Sequence, residues 1–214
     1  MHPPDDARRI GLVSDSHSNL AAMRVAVRTL RSRGAQTIVH LGDICDSLQG
    51  EVLEESIRFV RQHGLLAVKG NNDFLLENLL RHMLPETRGA ADEQMEFLRD
   101  LPMTIVWNDL CFAHSLPFDS LRAFYEPIDV GSTHRASEIF SSTPYRALFC
   151  GHSHSPVCFR WDRGEVTRFT IPDGAPIPIG PEERYIFVIG SVAEGECALF
   201  DRDAQKLERL RIEV

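Results

Sequence analysis

The chain has 214 residues, 43% of them hydrophobic, which is enough for one globular domain with a sizeable core and excludes a disordered or fibrous chain. Its net charge of -8, from 23 basic against 31 acidic residues and without a Lys/Arg cluster, argues against nucleic-acid backbone binding. An anionic substrate stays within reach where bound cations dominate the local field. Cys45, Cys111, Cys150, Cys158 and Cys197 form no CxxC pair and several sit in apolar runs, so they read as reduced and mostly buried. No segment has the apolar length of a signal h-region or a membrane span, and the expectation is a cytoplasmic protein.

Residues 10–13 are a short apolar strand that empties into Ser14-Asp15-Ser16-His17-Ser18-Asn19. From there Leu20, Met23, Val27 and Leu30 share one helical face, with Ser18 or Asn19 as N-cap and Gly34 closing the end. Residues 37–41 repeat the pattern, ending in Gly42-Asp43-Ile44-Cys45-Asp46 before an amphipathic helix through Val52, Leu53, Ile57 and Val60. Residues 65–68 are a third strand, followed by Gly70-Asn71-Asn72-Asp73. Three such units predict a parallel sheet with right-handed crossovers, whose strand exits share the edge where ligands gather.

Residues 74–81 and 92–101 are helical by pattern. Residues 103–107 and 110–113 read as a hairpin about Asn108-Asp109 that delivers His114-Ser115. Residues 115–145, with a helix near 132–140, read as an excursion over the site. The buried strand at 147–150 ends in Gly151-His152-Ser153-His154, and residues i and i+2 of an extended chain project together, so both imidazoles can enter one crevice. Segments 157–161, 166–171, 185–189, 197–201 and 207–212 are strand-like, with a turn at Asp162-Arg163-Gly164, and predict an antiparallel half. Residues 172–183 hold four prolines and two glycines and read as a surface loop. With no linker or repeat in view, residues 1–214 are expected to be a single domain.

Asp15, His17, Asp43, Asn71, His114, His152 and His154 each follow an apolar strand, and together they make a two-metal ligand set. Mixed nitrogen and oxygen donors suit Mn, Fe, Zn, Co or Ni better than calcium or magnesium. Two such cations, bridged by a carboxylate, stabilise both the attacking and the leaving oxygens of an in-line displacement.

The ordered motifs Asp15-x-His17, Gly42-Asp43-x-x-Asp46, Gly70-Asn71-x-Asp73, His114 and Gly151-His152-x-His154 resemble those of calcineurin-like metallophosphoesterases over nearly the whole chain. The short length and the closing Gly190-Ser191 element look most like the small single-domain bacterial phosphodiesterase branch. The resemblance implies a four-layer α/β (α+β) sandwich, two mixed β-sheets flanked by helices, with the dinuclear site at the strand ends. It also implies that Asp15, His17 and His154 hold one metal, that Asn71, His114 and His152 hold the other, and that Asp43 bridges. A hydroxide shared between the cations would then attack phosphorus. Asp46 and Asp73 read as groups that orient their neighbours.

Many members of that family carry histidine where this chain has Asn72. Asparagine cannot be a general acid, although its NH2 can donate to the substrate, so good leaving groups such as those of phosphodiesters and aryl phosphates are expected to be favoured. Asn72→His is then expected to raise activity on poor leaving groups.

His40, inside an apolar run, reads as a packed or orienting histidine, and His2, His63 and His82 as surface residues. His134 reads as solvent-facing, with replacement of the missing acid as its alternative. Cys45 and Cys150 flank ligands but read as structural. The leading reading is a metal-dependent phosphoric ester hydrolase, manganese being the expected assay metal, acting on a small phosphate ester. The competing readings are a dinucleoside polyphosphate or protein phosphatase, and a non-catalytic scaffold on the same fold.

Overall fold

A computed structural model describes residues 2–47, 52–83, 90–118, 120, 122–129 and 131–213, apart from the side chains of 83, 90–92 and 124. In chain order the elements are β1 (Arg9–Val13), α1 (Leu20–Ser32), β2 (Thr37–His40), α2 (Leu53–Gln62), β3 (Leu66–Ala67), α3 (Asn71–Met83) and α4 (Ala90–Asp100). They continue with β4 (Thr104–Trp107), β5 (Leu110–Ala113), α5 (Arg122–Tyr125), α6 (His134–Ser142), β6 (Ala147–Cys150), β7 (Val157–Asp162) and β8 (Glu165–Thr170). β9 (Ile177–Pro178), β10 (Arg184–Val188), a 3-10 turn (Val192–Glu194), β11 (Glu196–Asp201) and β12 (Lys206–Arg211) complete the chain.

The strands form two six-stranded sheets, ordered β3-β2-β1-β11-β12-β9 and β4-β5-β6-β10-β7-β8. Period-two alternation explains why both are buried on two faces. Ile10 and Leu12 of β1, Val39 of β2 and Phe200 of β11 point between the sheets, where they meet Phe112 of β5, Phe149 of β6 and Phe187 of β10. The alternate residues face helices. Val13 and Ile38 pack under Met23, Val27 and Leu30 of α1 and Ile57 and Val60 of α2, while Leu148 and Ile186 pack against Ile139 and Phe140 of α6. The result is the expected four layers, helices outside two mixed sheets.

β1, β2 and β3 are mutually parallel, as are β5, β6 and β10, so the exits of both sets lie at one edge. The later half is therefore not purely antiparallel. β10 inserts between β6 and the β7–β8 hairpin, parallel to β6 and antiparallel to β7. Within the proline-rich segment, Ile177–Pro178 pairs with β12 at the outermost position of its sheet, where a missing N–H costs no central ladder bond. Among the described residues no helix is long and apolar enough to cross a membrane.

Helix α3 begins at Asn71, three residues before the sequence pattern placed it. Asp73 reaches back to accept from the Gly70 backbone N–H at 2.9 Å, while Phe74 N–H bonds to Gly70 C=O at 3.0 Å. This half of a capping box and the first helical bond start the helix directly under the motif. α1 starts likewise, with Asn19 Oδ1 accepting from Ala22 N–H at 3.1 Å.

Phe149 is fully buried, with ring centroids of Phe112, Phe187 and Phe200 at 5.3, 5.6 and 5.1 Å. Phe149→Ala removes that keystone of the inter-sheet layer and is expected to destabilise the fold by about 3–5 kcal/mol, read as a lowered urea midpoint with an unchanged m-value.

Candidate metal centre

Each strand exit turns sharply, and five of the seven predicted donors are left-handed: Asp15 (φ 53°), His17 (44°), Asp43 (54°), His152 (73°) and His154 (57°). Aspartate and histidine tolerate this region better than most residues, yet each such position costs on the order of 1–3 kcal/mol and must be held by its surroundings. The holding groups are visible. Asp15 N–H bonds to Gly42 C=O at 3.0 Å and His17 N–H to Asp43 C=O at 3.1 Å, which ties the first loop to the second. Asp73 accepts from Cys45 and Ile44 N–H at 3.1 and 3.3 Å, tying the second loop to α3. His152 N–H donates to Asp15 Oδ2 at 3.0 Å, tying the far sheet to the near one. The approach leaves no room for a side chain at two glycines. A Cβ on Gly70 would lie 2.1 Å from the Asp43 nitrogen, and one on Gly151 would lie 1.8 Å from Ser14 Oγ.

These loops bring all seven predicted donors together. Donor atoms of Asp15, His17 and His154 lie within 4.8 Å of one another, and so do those of Asp15, Asp43 and His114. His154 Nε2 is 3.2 Å from His17 Nε2 and 3.4 Å from Asp15 Oδ1. On the other side Asn71 Oδ1 is 2.9 Å from both His114 Nε2 and His152 Nδ1, which are 3.1 Å apart, and His114 Nε2 is 3.6 Å from Asp43 Oδ1. Ligand bonds near 2.1 Å put neighbouring donors of one ion roughly 3 Å apart, and these spacings match that.

The outer bonds of the imidazoles test the fit further. His114 Nδ1 donates to Leu41 C=O at 2.9 Å, the His152 ring donates to the main chain of Tyr125, and His154 Nδ1 donates to Glu194 Oε1 at 3.0 Å. Each neutral ring therefore aims a lone pair inward. Asn71 Oδ1, His114 Nε2 and His152 Nδ1 are then three acceptors facing one another. A proton relieves one such contact, and a cation relieves all of them. Asp15 Oδ1 is likewise buried without a hydrogen bond among the described residues.

Electrostatics follow from the crowding. Burial alone would raise Asp15, but His154, His114 and Ser14 pull its carboxyl down to about 2. The Asp15 carboxylate 3.4 Å away, aided by Glu194, lifts His154 to about 9 against burial. Burial pushes His114 down, and the carboxylates of Asp43 and Asp15 more than reverse it. Without a cation, protons take its place.

A family model for the calcineurin-like phosphoesterase superfamily domain matches residues 9–194. The chain belongs to this superfamily. It is 25% identical over 226 residues to the protein MJ0912 of Methanocaldococcus jannaschii, covering 95% of this chain and 87% of that protein. The crystal structure of a metallophosphoesterase from Sphaerobacter thermophilus superposes with a TM-score of 0.74 at 25% identity, over 97% of this chain and 89% of that one. A putative diadenosine tetraphosphatase shares the fold, with a TM-score of 0.58 at 16% identity over 99% of this chain and 96% of that one. The phosphoesterase thus carries a plain candidate for the superfamily's dimetal site.

Around that site of the phosphoesterase, Asp73 is fully buried and braces the loops as described, and Asp46 is half-buried with its N–H on Ser18 Oγ at 3.2 Å. Asn72, expected to donate to the substrate, also braces Asp43. Its Nδ2 donates to Asp43 Oδ2 at 2.7 Å, its backbone N–H to Asp43 Oδ1 at 2.8 Å, and its Oδ1 accepts from Ser47 Oγ at 2.7 Å. The helix start at Asn71 turns residue 72 onto Asp43, so an Asn72→His change disturbs that carboxylate as well as adding an acid. His134 is 83% exposed, 3.5 Å from Glu138. Glu194, 3.0 Å from His154 Nδ1, is a neighbour of the site that sequence reasoning missed; no motif marks it.

His40 is fully buried. Its Nε2 donates to Ser16 Oγ at 2.9 Å, Ser16 Oγ donates on to Ile44 C=O at 2.9 Å, and Nδ1 has no partner among the described residues. Burial pushes this imidazole from the ordinary 6.5 down to about 3. Below pH 6.5 the unfolded chain therefore takes a proton that the folded phosphoesterase refuses, so stability falls with pH from 6.5 toward 3. The loss from this group is expected to be about 1.4 kcal/mol per pH unit, and denaturant titrations of metal-free protein should show that slope removed in His40→Gln.

Proposed function

We propose that the protein is a two-cation phosphodiesterase that hydrolyses small phosphate diesters by direct in-line displacement. In this reading Asp15, His17 and His154 hold one cation, Asn71, His114 and His152 hold the other, and Asp43 is shared. One observation carries it: three lone pairs, from Asn71, His114 and His152, converge at 2.9–3.1 Å, with the outward N–H of each ring already used. Such a cluster is unfavourable without a cation and well suited to one.

Two divalent ions held there would supply Lewis acidity, lowering the pKa of water toward neutral and stabilising charge on the attacking and leaving oxygens. The chain supplies the rest. Asn72 and its backbone N–H hold both oxygens of Asp43, so the shared carboxylate cannot swing away. Asp73 keeps the Asp43 loop on the helix that carries Asn71. Asn72 cannot act as a general acid, and one of its two amide N–H groups is held by Asp43, so the leaving oxygen departs without a side-chain acid at that position. That favours diesters with acidic leaving groups over alkyl monoesters. The donor mixture suits Mn, Fe, Zn, Co or Ni, with manganese the assay metal of choice. We take residues 1–214 as one catalytic unit, and the five buried, unpaired cysteines fit a reducing, cytoplasmic setting.

Protein stripped with chelator and reloaded with manganese is expected to bind two equivalents and to regain hydrolysis of bis-p-nitrophenyl phosphate. Asp43→Asn should lower kcat by on the order of 10²–10³, and methyl esters should be far poorer substrates than nitrophenyl esters. Metal-replete protein inert toward a broad panel of phosphate esters would overturn the reading.

A further inference from the structure

The 3-10 turn Val192–Glu194 contributes none of the seven donors, yet three bonds fasten it and its N-cap Ser191 to Asp15, to the adjacent Ser14 and to His154. Ser191 Oγ donates to Asp15 C=O at 2.8 Å, Val192 N–H donates to Ser14 C=O at 2.8 Å, and Glu194 Oε1 accepts from His154 Nδ1 at 3.0 Å. The turn itself is stiff. Glu194 and Glu196 N–H both return to Ser191 C=O, at 3.1 and 3.0 Å, Gly195 closes it in the left-handed region at φ 84°, and Val192 is fully buried against the α1 layer. The Glu194 carboxylate is therefore carried on an anchored platform.

Its acceptor role differs from those around it. His114 and His152 give their outer N–H to neutral main-chain carbonyls, whereas His154 gives its own to a carboxylate. A carboxylate acceptor fixes the tautomer, so that in the neutral ring Nε2 turns its lone pair toward Asp15 Oδ1 and His17 Nε2, and it makes the ring a stronger donor.

We propose that Glu194 is a positioning residue for the cation held by Asp15, His17 and His154: it locks the aim of His154 and raises the affinity of that one site. This rests on the two-cation reading above. The competing view is an ordinary surface ion pair. Glu194 is 61% exposed, and pairs of that kind contribute little.

The test is equilibrium titration of chelator-stripped full-length protein with manganese, comparing wild type, Glu194→Ala and Glu194→Gln. Glu194→Ala should weaken one of the two equivalents by about 10–100-fold and leave the other unchanged, with Glu194→Gln between it and wild type. The melting temperature of the metal-free variants should match wild type. Wild-type affinity at both equivalents in Glu194→Ala would overturn the proposal, and so would equal weakening of both with a lowered metal-free melting temperature. Wild-type protein that binds no manganese would overturn the two-cation reading, and this inference with it.

Discussion

Lone pairs and carboxylates repel one another, and the strand-exit edge of this protein gathers seven such donors in spite of it. Asp43 stands beside donors of both groups. It lies 3.6 Å from His114 and shares a 4.8 Å cluster with Asp15, and it stays there because Asn72 donates to both of its oxygens. Gly70 sits so close beneath it that any side chain would collide with the Asp43 backbone and carboxylate. The loop cannot retreat and the carboxylate cannot rotate, so the unfavourable charge must be met from outside.

What holds the donors against that force is the inter-sheet core. Five exit residues in the left-handed region cost on the order of 1–3 kcal/mol each, and no local contact repays such a sum. The phenylalanine layer formed by Phe112, Phe149, Phe187 and Phe200 lies between the sheets whose ends carry those residues. Cross-links such as His152 N–H to Asp15 Oδ2 then translate sheet packing into donor spacing. Global stability and the geometry of the centre are coupled for this reason.

Much of this was legible in the sequence because one simple pattern recurs: an apolar run followed at once by a carboxylate, an amide or an imidazole. That pattern located the strands before Asp15, Asp43, Asn71, His114 and His152, and the parallel start of the first sheet. The left-handed turns were not legible, because the φ of Asp15 or His154 is imposed by loops from other strands. The start of α3 was missed because Asp73 caps it from inside a stretch that also looks like a turn. The Asn72–Asp43 bond was not legible, since nothing local reveals that Asp43, 29 residues earlier, lies within its reach. Glu194 was invisible for the same reason, an exposed glutamate whose partner lies 40 residues away. The parallel β6–β10 pair depends on a strand inserting out of sequence order, which periodicity cannot report.

The central claim is that these donors converge to hold a pair of cations across one shared carboxylate. Anomalous diffraction at the manganese edge, from crystals of reloaded protein, tests it most directly. The account predicts two peaks roughly 3.5–4 Å apart, one among Asp15, His17 and His154, the other among Asn71, His114 and His152, with Asp43 between them. A single peak, or no peak with these side chains unmoved, would contradict it.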